Sequence, residues 1–204
     1  MTTERIVFAS AARYLATLVR QIPADRWDDP GLGEWSVRDL VGHTSRSLIT
    51  VSTYLHSSAS HEDVREPAEY YVRIHALAAG IGAEAIVERG RQAGRDLGAD
   101  PAATIDGLVE RVLGDIDAAG DPLIEVIGGL GVRLSTYLPT RTFEIAVHGL
   151  DVAAAVGLTV SPPVEVLAEA AALAGRIGAH LGQGPAVLLA LTGRSALPAG
   201  FSVV

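Results

Sequence analysis

The sequence predicts a mainly α-helical protein, a bundle of four long helices followed by a short C-terminal segment of mixed α/β structure. Apolar residues recur every three to four positions along most of the 204 residues, which is the period of amphipathic helices. Aromatic residues make up only 5% of the chain, while Ala, Leu, Val and Gly are plentiful, a composition that suits closely packed helices. Hydrophobic residues make up 49%, enough for one sizeable core.

The first two predicted helices have clear boundaries. The first covers residues 4–22 and ends at Pro23. The second covers residues 37–56 and follows Ser36, which is expected to cap it, with Asp39 three residues later in an acidic variant of the capping box. Within it, Gly42 would allow a close approach of another helix. The next residue, His43, lies at the edge of the apolar stripe, where a histidine is usually structural.

Residues 57–100 are predicted to form a long connection. A polar loop over residues 57–67 precedes two helices, at 70–79 and 83–97, with Gly80 and Gly82 between them. Some four-helix bundles insert such a crossover between their second and third helices, and we interpret the segment in this way.

The third bundle helix is predicted over residues 101–119, because Asp100 and Pro101 form a typical helix start. Two short β-like pieces at 123–127 and 132–134 then suggest a small hairpin. The fourth bundle helix covers residues 135–156, with Ser135 as its expected cap and Gly157 at its end.

The fourth helix carries an unusual polar strip. At 3.6 residues per turn, five polar side chains fall on one narrow stripe between two apolar flanks: Tyr137, Arg141, Glu144, His148 and Asp151. The strip is either a narrow solvent face laced by ion pairs, or a strip facing the bundle interior, where charges persist only if paired or bound to a metal. The i, i+4 spacing of Glu144 and His148 is that of two metal ligands on one helix.

After the bundle, a helix is predicted over residues 164–181, followed by strands at 185–192 and 201–204 with a turn at Gly193 and Arg194 between them. We therefore expect a helical bundle over residues 1–160 and a C-terminal appendage, a helix with a β-hairpin, over residues 161–204.

The composition excludes several kinds of chemistry. The chain has no cysteine, so thiolate ligands, disulfides and a protein thiol nucleophile are excluded. All 16 basic residues are arginines, which excludes Schiff-base lysines and a lysine-containing phosphate loop. A net charge of −8 without any basic run argues against nucleic acid as a partner. Neither a membrane-spanning run nor a signal-peptide pattern is found, so a cytoplasmic protein is expected.

Two segments resemble a known family. EWSVRDLVGHTSRS (residues 34–47) and YLPTRTFEIAVHGLDVA (residues 137–153) are similar to the two signature regions of the mycothiol-dependent maleylpyruvate isomerase family. This family belongs to the DinB-like group of metal-binding four-helix bundles. The C-terminal LTGRSALPAGFSVV also resembles actinobacterial members. The resemblance implies a DinB-like fold and a divalent metal bound by His43, Glu144 and His148.

The implied ligand set suits Zn²⁺, with a fourth position open for water or a substrate sulfur, and nickel or iron would also accept it. Asp151 is a candidate partner for the other ring nitrogen of His148, or else a solvent-facing residue near the helix end. Arg141 could hold a carboxylate of the thiol or of the substrate, or pair with Glu144. Family members use an arginine from a larger C-terminal domain, for which Arg194 is the natural stand-in here, unless it is merely solvated.

The resemblance implies an isomerase or S-transferase that depends on a metal and on mycothiol and acts on a small electrophile of the maleylpyruvate type. Because the chain has no cysteine, an external thiol must supply the sulfur. Two alternatives remain open, a hydrolase that uses a metal-bound water and a non-catalytic metal- or ligand-binding stress-response protein. We expect small-molecule partners and a monomer or homodimer.

Overall fold

The fold is a bundle of helices with one short hairpin, and the computed structural model describes residues 2–78 and 83–204. Within these ranges it contains eight α-helices and one two-stranded antiparallel sheet, which confirms the predicted mainly helical class. Gly80 and Gly82, the predicted interruption of the crossover, lie outside the described residues. The elements are α1 (Thr3–Val19), α2 (Val37–Tyr54), α3 (Pro67–Ala78), α4 (Ala83–Asp96), α5 (Pro101–Ala118), β1 (Leu123–Val126), β2 (Leu130–Arg133), α6 (Leu134–Val156), α7 (Val164–His180) and α8 (Gly184–Leu191).

Four helices form the bundle, because α1 and α2 each pack against both α5 and α6. The connection between α2 and α5 carries α3 and α4, as the predicted crossover requires. Of these, α4 lies along α2, whereas α3 packs against α6 and α7. The crossover therefore brings side chains from two further helices to the outer faces of α2 and α6.

The start of α2 and its contact with α4 follow the sequence closely. Ser36 and Asp39 form the predicted capping box, with the Asp39 amide donating to Ser36 Oγ at 3.2 Å and the Ser36 amide donating to Asp39 Oδ2 at 3.1 Å. At Gly42, a Cβ atom would lie 2.2 Å from the backbone nitrogen of Gly94 in α4. The predicted close helix approach at Gly42 is therefore confirmed.

The central helix of the bundle is α6, which is buried on most of its surface. On the side facing α1, Gly149 packs directly against the ring of Tyr14. Gly157 ends the helix as predicted, with the positive φ of 70° that glycine adopts readily. The expected cap at Ser135 is wrong, because β2 runs straight into the helix and Ser135 already lies in its first turn. Its amide and hydroxyl instead donate to the carboxylate of Asp121, at 2.8 and 2.9 Å.

The two strands predicted for the C-terminal segment are also wrong. Residues 185–192 fall largely in α8, and residues 201–204 have no regular structure. The sequence PAVLLAL is apolar throughout, so its periodicity does not separate helix from strand, and Ala and Leu are strong helix formers. Both α8 and the last four residues, 201–204, contact α7. Val187 of α8 and Val203 of the last four residues approach Gly178 of α7. The boundary at residue 160 remains a prediction.

In the described part of the chain, no helix is both long and apolar enough to cross a membrane.

Candidate metal centre

The structure brings the three predicted ligands together between α2 and α6. His43 lies on α2, and Glu144 and His148 lie one turn apart on α6. One potential ligand atom from each residue lies within 4.8 Å of the other two. The two imidazole rings meet edge to face with centroids 5.0 Å apart, and His148 Nε2 is 3.4 Å from Glu144 Oε2. The side chains of Glu144 and His148 are only 24% and 16% exposed, so the polar strip faces the bundle interior rather than solvent.

Each of these three side chains is held by a neighbour. The Nδ1 atom of His148 lies 3.1 Å from Asp151 Oδ2, the contact that the sequence suggested. The hydroxyl of Tyr71, from α3, donates to Glu144 Oε1 at 2.8 Å. The indole ring of Trp35 stacks on His43, with centroids 4.5 Å apart and planes inclined by 30°. The geometry of the cluster therefore depends on the crossover as well as on α2 and α6.

Trp35 is itself fixed by α4. Its Nε1 donates to the carbonyl oxygen of Val87 at 3.0 Å. Gly90 allows this fit, because a Cβ atom there would lie 2.5 Å from the indole ring. The position of His43 is thus linked to α4 through one aromatic side chain.

Burial and pairing set the charges of the cluster. Burial, together with the nearby His148, lowers the pKa of His43 to about 4, so this ring is neutral. Burial opposes the ionisation of Glu144, but the hydrogen bond to His148 and the charge of Arg141 outweigh it and lower the pKa to about 2. Burial alone would lower the pKa of His148, yet its hydrogen bonds to Asp151 and Glu144 raise it to about 9. At pH 7 without a metal, His148 is protonated and Glu144 ionised.

The donor set fits a divalent metal. Two imidazoles and one carboxylate are ligands that Zn²⁺ accepts, and a site with three protein ligands leaves one position for an external group. Among the described residues, the buried His43 Nδ1 has no hydrogen-bond partner. An unpaired buried nitrogen costs on the order of 1–3 kcal/mol, which favours a site completed by a group from outside the chain.

A cavity of about 230 Å³ adjoins the cluster, and His43 and Glu144 form part of its wall. Tyrosine and arginine side chains dominate the rest of the wall. They are Tyr54, Tyr70, Tyr71, Tyr137, Arg46, Arg89 and Arg141. The cavity therefore combines aromatic walls with guanidinium groups beside the potential metal ligands.

Arg141 lies between two of these aromatic rings, 5.3 Å from the centroid of Tyr70 and 4.9 Å from that of Tyr137. Its Nε donates to Thr140 Oγ1 at 3.0 Å. Burial works against its charge, but Tyr137, Tyr70 and Glu144 raise the pKa above its usual value. No direct ion pair between Arg141 and Glu144 occurs in the described residues. The guanidinium therefore lines the cavity as a fixed cation.

Arg194 is placed away from these residues. It lies in an exposed turn after α8, where its Nη1 donates to the carbonyl oxygen of Thr192 at 3.1 Å. It is not among the residues that line the cavity. Its catalytic role remains a prediction, and no contact with another described residue of the cavity supports it.

Four residues that contact the ligands or line the cavity were not identified from the sequence: Tyr71, Trp35, Arg46 and Arg89. Tyr71 and Arg89 belong to the crossover, whose docking onto the bundle no local pattern reveals. Trp35 precedes the cap of α2, and the position of an indole ring before a helix does not predict its contact with His43.

Comparison with known families gives one match. The model of the mycothiol maleylpyruvate isomerase N-terminal domain matches residues 8–153. The matched range includes His43, Glu144 and His148 and ends before α7. Comparisons with curated proteins and with solved structures give no significant match.

Proposed function

The chain belongs to the family of the mycothiol maleylpyruvate isomerase N-terminal domain, and on that premise we propose that it is a metal- and thiol-dependent enzyme. Its reaction would be the isomerisation of a small electrophile or the transfer of sulfur to it, with mycothiol as the thiol. The observation that carries this proposal is the convergence of three potential ligand atoms within 4.8 Å of one another, with His43 and Glu144 at the wall of a cavity.

His43, Glu144 and His148 would bind the metal, for which Zn²⁺ is suited and nickel or iron acceptable. A divalent metal at this position would lower the pKa of a bound thiol, so that its sulfur is a thiolate near neutral pH. In an isomerase, such a sulfur would add to an electron-poor double bond, the molecule would rotate about the resulting single bond, and loss of the thiolate would restore the double bond in the other geometry. In a transferase, the sulfur would displace a leaving group, which departs with the electron pair of the broken bond. Because the chain has no cysteine, the sulfur must come from outside.

The side chains around the ligands would prepare them for this task. Asp151 would accept a hydrogen bond from the Nδ1–H of His148, which would leave Nε2 as the ligand nitrogen. The stacked Trp35 ring holds the plane of His43, whose lowered pKa keeps it neutral and able to bind a metal at physiological pH. The main charge change on metal binding would therefore be the loss of the His148 proton.

The cavity favours an anionic substrate. Its wall includes Arg46, Arg89 and Arg141. A guanidinium group is planar and can bind a carboxylate through two parallel hydrogen bonds. Among the described residues of the cavity wall, Glu144 is the only acidic one, and a bound metal would neutralise it. A small electrophile bearing one or two carboxylates, as in the maleylpyruvate type, suits these charges and a volume of about 230 Å³.

A turnover assay tests the proposal. Metal-loaded protein is mixed with maleylpyruvate, with and without mycothiol, and the products are followed by chromatography. We expect conversion only when metal and thiol are both present, and none with His148→Ala. Hydrolytic products without thiol would favour a hydrolase, and metal and thiol binding without turnover of any tested electrophile would favour a binding protein.

A further inference from the structure

The two oxygens of Glu144 have different partners. Oε1 accepts a hydrogen bond from the Tyr71 hydroxyl at 2.8 Å, and Oε2 lies 3.4 Å from His148 Nε2. A carboxylate can bind a metal through one oxygen or through both, and the second mode occupies an additional coordination position. The contact with Tyr71 therefore bears on how many positions remain for an external ligand.

Tyr71 is held firmly in place. It is only 9% exposed, and its ring meets those of Tyr70 and Phe143 edge to face, with centroids 5.6 and 5.3 Å away. Its hydroxyl also lies 3.0 Å from the carbonyl oxygen of Thr140, so it sits between two acceptors. These ring contacts fix the Tyr71 hydroxyl beside Glu144 Oε1.

We propose that Tyr71 is a positioning residue that occupies Glu144 Oε1, so that the carboxylate binds the metal through Oε2 alone and a coordination position stays open toward the cavity. This inference rests on the proposed metal site. Both Tyr71 and Glu144 line the cavity, so a coordination position left open beside Glu144 would be reached from the cavity, where a substrate sulfur would bind. Without the hydroxyl, Glu144 is free to rotate and to bind through both oxygens. The metal would remain bound, but external ligands would have to compete with Oε1.

The matched pair Tyr71→Phe and Tyr14→Phe tests this role. Both tyrosines are buried and both substitutions remove one hydroxyl, but Tyr14 packs against Gly149 and its hydroxyl has no partner among the described residues. Each protein is loaded with Co²⁺, its visible spectrum is recorded, and azide is titrated as a small anion that binds an open metal position. We expect Tyr71→Phe to bind one equivalent of cobalt with a changed spectrum and an azide dissociation constant at least about tenfold higher. Tyr14→Phe should match the wild-type protein in both readouts.

An unchanged spectrum and azide affinity in Tyr71→Phe would refute the role of Tyr71 alone. If the wild-type protein bound no cobalt, the proposed metal site would fail, and this inference with it. If Tyr71→Phe does not fold, a crystal structure of the wild-type cobalt protein tests the proposal instead, because it shows how many oxygens of Glu144 bind the metal. Glu144 bound through Oε2, with Tyr71 still on Oε1, supports the proposal, and Glu144 bound through both oxygens overturns it.

Discussion

Replacement of Glu144 by glutamine should remove most of the stabilisation that a metal gives the protein. A ligand that binds only the native state adds RT ln(1 + [L]/Kd), or about 4 kcal/mol at a thousandfold excess over Kd. For a chain of this size, 1 kcal/mol shifts the melting temperature by roughly 2–4 °C, so the wild-type protein should gain about 10 °C. Glutamine keeps the shape of the side chain but removes the charge that attracts the metal.

If the loss of this carboxylate weakens metal binding about a hundredfold, the same metal concentration is only tenfold above Kd. The stabilisation then falls to about 1.4 kcal/mol, or about 4 °C. The metal-free variant should also be less stable, because the protonated His148 loses one of its two carboxylate partners, the one at 3.4 Å, and keeps only Asp151.

Differential scanning calorimetry with and without Zn²⁺ measures both effects. Glu110→Gln is the matched control, since Glu110 is an exposed carboxylate on α5 and its loss should leave the metal response unchanged. An equal metal-induced rise in Glu144→Gln and in the wild-type protein would refute the assignment of Glu144 as a ligand.

Three further predictions follow from the same geometry. His148→Ala should lose most of the metal that elemental analysis finds in the wild-type protein, and full retention would exclude His148 from the site. Metal binding at pH 7 should release about one proton, because His148, with a pKa of about 9, must lose its proton while His43, with a pKa of about 4, is already neutral. Calorimetry in buffers of different ionisation enthalpy measures this release. Apparent affinity should therefore fall about tenfold for each pH unit below about 9, and an affinity independent of pH between 6 and 8 would contradict this. Gly42→Ala should destabilise the protein by about 1–3 kcal/mol in thermal melts, because the new Cβ would lie 2.2 Å from the backbone of α4. Gly107→Ala is the control and should not destabilise it, because a Cβ atom at residue 107 meets no described atom within 4 Å.

The parts of the fold that could be predicted from the sequence depend on interactions between residues close together in the chain. The capping box at Ser36 and the glycine that ends α6 depend on residues within one turn, so their patterns are visible in the sequence. The polar strip on α6 was visible for the same reason, since its members lie on one helix. The sequence does not decide whether the strip faces solvent or the bundle interior, because that depends on tertiary packing. The burial of Glu144 and His148 answers the question.

The errors and omissions share a physical cause. Residues 185–192 are short and uniformly apolar, so helix and strand could not be distinguished before their packing against α7 was known. Ser135 has the side chain of a cap but lies inside the helix, because the preceding strand fixes where α6 begins. Tyr71 and Trp35 reach the ligands only through the docking of α3 and α4, which no periodicity encodes.

The resemblance to the family, and not the periodicity of the sequence, identified His43 as a candidate metal ligand. By pattern alone, His43 was an ordinary histidine at the border of an apolar stripe. Its pairing with Glu144 and His148 was implied by the two signature segments, and the structure places the three within reach of one another.

The most direct test of the account is the response of the cobalt-substituted protein to a thiol. Mycothiol, or a simple thiol such as 2-mercaptoethanol, is added near pH 7, and the absorption spectrum and proton release are recorded. A thiolate bound to the metal should form below the usual thiol pKa of about 8.5. We predict a sulfur-to-cobalt charge-transfer band with release of about one proton per thiol, both absent in His148→Ala. A wild-type protein that binds cobalt but shows neither the band nor the proton release would contradict the thiol-dependent function.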